Sequence, residues 1–360
     1  MTDEQAAPAG RHREAFLLVS FGGPEGPDDV MPFLRNVTAG RDVPEDRLAG
    51  VAEHYYMFGG VSPINAQCRT LLDAIARDFA ANGIALPVYW GNRNWRPYLT
   101  DTLAAMARDG ITTAVAFATS AYSSFSGCRQ YLDDIDSARA AVGAFAPAVT
   151  KIPPYYRHPA FISCFCDAAR NALDALPAGL RDDAELVFTA HSVPESMAVA
   201  SGPAGGAYPA QLAETAERVA AGLGHKRWRL AYSSRSGPPT VRWLGPDVND
   251  CLAELAQEGA RAVAIVPIGF VSDHMEVIYD LDVEAAQTAR RLGLSMTRAR
   301  TPGSDPRFVA MITALTRDFA AAGPGDAAGH LGPGALSSCG QNCCGAGPDR
   351  SAARALARSS

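Results

Sequence analysis

Six short apolar runs each stop at glycine or a small polar residue, and this repetition constrains the fold more than any other feature of the chain. They are Phe16 to Phe21 before Gly22-Gly23-Pro24, Leu86 to Trp90 before Gly91, and Thr113 to Ala118 before Thr119-Ser120; then Glu185 to Thr189 before Ala190-His191, Trp228 to Tyr232 before Ser233-Ser234, and Arg261 to Pro267 before Ile268-Gly269. Such a run reads as a buried strand entering a tight loop. Helical Ala- and Leu-rich stretches lie between them, at Thr70 to Ala81, Ala210 to Leu223, Val248 to Gly259 and Pro306 to Ala321. Alternation of this kind predicts parallel α/β structure. Three runs precede residue 130 and three follow residue 180, so the second half reads as a reprise of the first. A chain of 360 residues is long enough for two cores. The expectation is two similar Rossmann-like α/β domains, each a parallel sheet flanked by helices, over residues 14–155 and 156–325, with a seam near Pro153, Pro154 and Pro159. Residues 1–13, small and polar, are expected to be disordered, and residues 326–360 to form a C-terminal tail.

Charge and hydropathy remove several function classes. The net charge is -6, and the basic clusters are small: Arg11, His12 and Arg13, then Lys226, Arg227 and Arg229. No nucleic-acid partner is expected from such a surface. No apolar stretch reaches the length of a membrane span, although peripheral contact with a membrane stays open. The start is polar and acidic at Asp3 and Glu4, without a secretion signal, so a cytoplasmic location is expected. Neither G-x-G-x-x-G nor G-x-x-x-x-G-K-[ST] occurs, which takes the main support from dinucleotide and P-loop readings.

Open α/β sheets bind ligands beyond the carboxyl ends of their strands. His191 and His274 both sit at such exits. Around His274 the acidic residues are dense: Asp273, Glu276, Asp280, Asp282 and Glu284. Glu276, Asp280 and Glu284 are spaced by four, so a helix lines them up, and three stacked like charges gain nothing unless a cation offsets them. A histidine facing a carboxylate suits proton removal near neutral pH. It equally suits transient binding of a divalent transition ion, and the residues leave both open. Ser192 follows His191, but G-x-S-x-G is missing, which disfavours a hydrolase.

Four blocks in order carry a family resemblance: Leu17 to Pro24, Phe188 to Glu195, Tyr232 to Pro246, and Pro267 to Glu284 with Ser272-Asp273-His274-Met275-Glu276 inside it. Over roughly residues 14–320 the chain resembles the ferrochelatases. The resemblance implies a chelatase-type pair of domains with a porphyrin in the cleft between them and ferrous iron as the second substrate. It places the role of base or metal-facing ligand on His191, with Glu276 as partner. Asp273, His274, Asp280 and Glu284 would assist as a metal or proton path. Tyr55-Tyr56-Met57-Phe58-Gly59-Gly60-Val61-Ser62-Pro63 resembles the family's flexible lip, which makes Tyr55 and Met57 porphyrin contacts. Arg93 matches a family arginine suited to propionates, and Arg96 is added by proximity. Tyr122 matches a pocket tyrosine, with Ser123 beside it; Ser124 and Arg41 are further rim candidates. Phe21 departs from the tyrosine of many bacterial members, so an axial phenolate is excluded there.

Eight cysteines in a chain read as cytosolic do not suggest a disulfide scaffold. Cys68, Cys128 and Cys251 read as buried free thiols. The tail holds Cys339, Cys343 and Cys344 among glycines and small polar residues, one thiolate short of a four-sulfur site that Cys164 or Cys166 would complete. Some ferrochelatases carry a [2Fe–2S] cluster on three C-terminal cysteines and one mid-chain, and that resemblance favours Cys164. Zinc on the same thiolates, or a reactive tail without metal, are the alternatives. Composition and tail together resemble the actinobacterial, coproporphyrin-using branch. The implied reaction is insertion of ferrous iron into coproporphyrin III, giving coproheme, by a monomer. Protoporphyrin IX as substrate, a cobalt or nickel chelatase, and a non-catalytic tetrapyrrole carrier are the competing readings.

Overall fold

In the computed structural model the described residues are 13–41, 43–236, 240–326 and 343–345. Of the segment 1–13 expected to be disordered, residues 1–12 lie outside them, as does most of the tail, including Cys339.

Two four-stranded parallel sheets form the frame. The first contains β1 (Glu14–Ser20), β2 (Val88–Asn92), β3 (Thr113–Ala118) and β4 (Ala148–Lys151) in the order β2-β1-β3-β4. The second contains β5 (Glu185–His191), β6 (Trp228–Ser233), β7 (Ala262–Val266) and β8 (Ser295–Arg298) in the order β6-β5-β7-β8. The two orders are the same, which is the duplication the apolar runs suggested. In register, Phe16 lies between Val88 and Val115, and Phe188 between Leu230 and Val266. Strands β1, β5 and β7 are buried almost throughout, so their residues are apolar on both faces. The edge strands β4 and β8 are short, half-buried and partly polar, and they were not legible as apolar runs.

The two halves share one core. Phe16 and Phe117 of the first sheet, Phe161 and Phe165 of helix Pro159–Ala175, Phe188 of the second sheet and Phe308 of helix Pro306–Asp326 belong to a single apolar cluster. Helix Pro306–Asp326 packs on helix Ile64–Ala81 and β3 of the first half as well as on helix Pro159–Ala175. The chain therefore returns to its first half after the second sheet is complete, and a cut near residue 155 does not separate two self-contained cores.

Strand exits of both sheets face the same region. At the end of the second sheet, the segment after β7 is drawn against β5. The Gly269 amide donates to the Thr189 carbonyl at 3.0 Å, and a Cβ on Gly269 would fall 2.6 Å from that of Ala190. Only glycine allows that approach, and it sets the loop holding His274 beside His191.

Candidate active site

His191 is the last residue of β5, and its ring and its backbone are each held by a hydrogen bond. Nδ1 makes a short contact with the Ser192 carbonyl, and the His191 carbonyl accepts a hydrogen bond from the buried Tyr208 hydroxyl at 2.8 Å. Nε2 lies 3.5 Å from Glu276 Oε2, with about a third of the His191 side chain and half of the Glu276 side chain open to the cleft. His274 Nδ1 stands 4.0 Å from the same carboxylate oxygen. The structure thus brings His191, His274 and Glu276 together across one gap.

Each of these groups titrates away from its ordinary value. Burial works against charge on His191, but the Glu276 carboxylate, the Ser192 carbonyl and Asp280 outweigh it and raise its pKa. Burial also works against charge on Glu276, yet His191 and His274 hold it down to about 2. His274 is lowered, first by burial. Asp280 is pushed up to about 7 by burial, with the negative charges of Glu276 and Glu284 adding to it, while the Ser234 hydroxyl that donates to its carboxylate pulls the other way. Ser234 holds a left-handed backbone conformation at φ 61°, a strain that non-glycine residues tolerate where the surroundings enforce it.

The acidic residues sit on an unusual helix. A single turn, Met275–Val277, runs directly into a π-helix, Ile278–Ala285. An α-helix was the expectation; the wider turn keeps Glu276, Asp280 and Glu284 electrostatically coupled in sequence while changing the pitch. Inserted π turns recur at functional sites. Among the described residues no group of three or more His, Cys, Asp or Glu side chains is already gathered around one ion.

Asp273 does not join this row. Its carboxylate is paired with Arg298 at 3.1 Å and accepts from Thr301, and its amide donates to Gln67 across the two halves. It anchors the loop.

The expected porphyrin rim is rearranged. Tyr55 is buried with Phe33, Leu48, Trp95 and Met275, at the root of the lip and not on its face. The exposed lip residues are Tyr56, Met57, Phe58 and Val61, with Met57 62% exposed. The Arg93 guanidinium is buried against Asp134 and lies 4.5 Å from the Tyr131 ring centroid and 5.7 Å from that of Phe21. Its charge is already paired with the Asp134 carboxylate. Tyr122 and Ser123 are buried as well. Tyr122 donates to the Ile268 carbonyl, and Ser123 exchanges two hydrogen bonds with Gln211. Ser124 caps a second short π-helix, Phe125–Arg129. Arg96 and Arg41 remain exposed. Desolvation and then the like charge of Arg93 pull the Arg41 pKa down. Phe21, 37% exposed and edge-on to Phe33, offers the cleft a ring without a hydroxyl.

The thiols are also regrouped. Cys164 lies in the main core, its thiol hydrogen-bonded to Asp305 and pushed up to about 12 by burial and that carboxylate. Cys343 and Cys344 instead form a separate buried cluster with Cys128, which sits on the π-helix Phe125–Arg129. Cys344 takes φ 57°, and this left-handed turn brings the Cys343 and Cys344 sulfurs within 3.8 Å. Cys128 reaches Cys344 Sγ by a hydrogen bond, and the Gly202 amide donates to the same sulfur at 3.1 Å. Helix packing, not sequence distance, brings Cys128 to the tail.

His54, Tyr279, Ser234 and Tyr208 were not singled out from the sequence. A pocket of about 230 Å³ lined by Asp183, Glu185, Arg227, Glu258 and Arg261 opens at the starts of β5 and β7, the end opposite the histidines.

Comparison with known proteins identifies the family. A family model described as ferrochelatase matches residues 13–319. The coproporphyrin III ferrochelatase of Nocardia farcinica is 55% identical over 308 residues, covering 85% of this chain and 88% of its own. That of Frankia alni is 54% identical over 339 residues, covering 92% and 86%. That of Streptomyces coelicolor is 49% identical over 362 residues, covering 94% and 95%. Among solved structures, SirB from Bacillus subtilis with Fe3+ superposes with a TM-score of 0.54 at 11% identity, covering 86% of this chain and 98% of that one, which speaks to the fold alone.

Proposed function

The chain belongs to the ferrochelatase family, and from that premise we propose that it inserts ferrous iron into coproporphyrin III to give coproheme. The observation that carries the chemistry is the His191–Glu276 pair at 3.5 Å, open to the cleft and backed by Asp280 and Glu284. Metal insertion releases two protons, one from each inner pyrrole N–H, and moves no net electrons. His191 in its neutral form is the base that faces the macrocycle. Glu276, ionised throughout the neutral range, stabilises the imidazolium that forms. Asp280, half-protonated near neutral pH, takes protons onward or meets the entering cation. The name of the relatives supports coproporphyrin over protoporphyrin. Exposed Arg41 and Arg96 are the cations offered to propionates. With coproporphyrin III and protoporphyrin IX in one anaerobic assay, kcat/KM is expected to favour coproporphyrin by at least ~10-fold, about 1.4 kcal/mol of transition-state discrimination. Equal values would assign the chain to protohaem synthesis.

We further infer a [2Fe–2S] cluster on Cys128, Cys339, Cys343 and Cys344, with Cys128 in place of Cys164. Three buried sulfurs already converge, and a backbone amide is aimed at one of them, as cluster sulfurs favour. Four thiolates on two irons, two to each, do not require three ligands around one ion. The Cys128 hydrogen bond and burial raise the Cys344 thiol well above its ordinary value, so metal loading there releases a proton. When bound, the cluster supplies a cross-link between the tail and helix Phe125–Arg129; insertion itself needs no electron carrier.

A further inference from the structure

The lip grows out of helix Glu45–Tyr56, an element of the first half. Its contacts with the second half share one destination. The His54 imidazole stacks flat on the Tyr279 ring, with centroids 3.6 Å apart and planes 9° from parallel. Tyr279 adjoins Asp280 on the π-helix, and the His54 charge opposes the rise of the Glu284 pKa. One residue on, Tyr55 packs against Met275, the neighbour of Glu276. At the other end of the helix, Arg47 Nη2 donates to the Ser236 carbonyl at 2.9 Å, in the segment whose Ser234 holds Asp280. Each of these ties lands on the acidic helix or on the loop that supports it.

We propose that His54 is a positioning residue that latches the lip to the second half of the chain by stacking on Tyr279, so that the lip is held over a bound macrocycle. The physical reason is the area and rigidity of the stack. Two flat rings in contact resist sliding and are worth more than their burial alone. The exposed Tyr56, Met57, Phe58 and Val61 gain nothing from water and are covered when a flat apolar ring lies beneath them. Loss of the stack frees the lip from the second half. This inference rests on the porphyrin reading above.

The test is the release of coproporphyrin III from the full-length protein without iron, followed by stopped-flow fluorescence. His54→Ala is expected to speed release ~2–10-fold, the range that one aromatic pair supports. His54→Phe keeps the stack and is expected to restore the parent rate. In a double-mutant cycle, His54→Ala with Tyr279→Leu is expected to do no more than the larger single change, since both remove one contact. Unchanged release in His54→Ala, no rescue by phenylalanine, or fully additive effects would each overturn the latch. A merely structural role would lower thermal stability and leave release and rescue unaffected. If the parent binds protoporphyrin IX and not coproporphyrin III, the same comparison runs with that ligand and only the substrate assignment fails. A parent that binds neither overturns the porphyrin reading and the latch with it.

Discussion

His191 carries the chemistry because its neighbours set its proton affinity. Its pKa is raised in the fold, so the neutral form needed as a base is populated only as pH rises through that value. Insertion is therefore expected to slow on the acid side of neutrality, and Asp280, at about 7, contributes to the same limb. The two belong to one coupled set, and the profile reports the set. The direct check is imidazole NMR. Replacing Glu276 by Gln removes the carboxylate that holds the imidazolium, so the His191 pKa is expected to fall; a rise would contradict the pairing. His191→Ala is expected to cost ~10²–10⁴-fold in insertion rate, the usual worth of a general base, while porphyrin still binds. Steady-state absorbance with ferrous iron measures it, and activity within about threefold of the parent would remove His191 from that role.

At the scale of the element, the turn Met275–Val277 and the π-helix Ile278–Ala285 that continues it carry Glu276, Asp280 and Glu284 in succession. Ser234, the residue after β6, supports the π-helix through the hydroxyl that donates to Asp280. Since that hydrogen bond lowers the Asp280 pKa, Ser234→Ala is expected to raise it further and to move the acid limb of the pH–rate profile upward. A limb that stays in place, or shifts down, would show that Asp280 does not shape it. The spacing of Glu276, Asp280 and Glu284 was readable as a helical row, but not the wider winding, because periodicity of four residues fits either turn.

In the whole molecule the tail and the middle of the chain meet at the thiols. Cys128→Ala is expected to abolish the visible absorbance and the two irons and two acid-labile sulfides per chain of anaerobically prepared protein, whereas Cys164→Ala is expected to leave them. The reverse outcome would restore Cys164 as the ligand, and zinc or no metal in the parent would end the cluster assignment. Hydrogen bonds lead from this pocket toward the cleft: Gly202 contacts Cys344, its neighbour Ser201 accepts from the Tyr208 amide, and the Tyr208 hydroxyl holds the His191 carbonyl.

The sequence by itself determined the repeated parallel sheets, since buried central strands must be apolar on both faces and their glycine or polar exits mark where each run ends. It also placed His191 and His274 at the exits of two strands and displayed the acidic row that begins at Glu276. The half-exposed edge strands Ala148–Lys151 and Ser295–Arg298 carry no such signature and needed the sheet to define them. Only the tertiary structure decided which polar groups are already partnered. Arg93 is paired with Asp134, Asp273 with Arg298, and Ser123 is hydrogen-bonded to Gln211, each across more than twenty residues of chain. The choice between Cys128 and Cys164 has the same cause. A thiol's partners depend on which helix faces it, and local spacing holds no record of that contact.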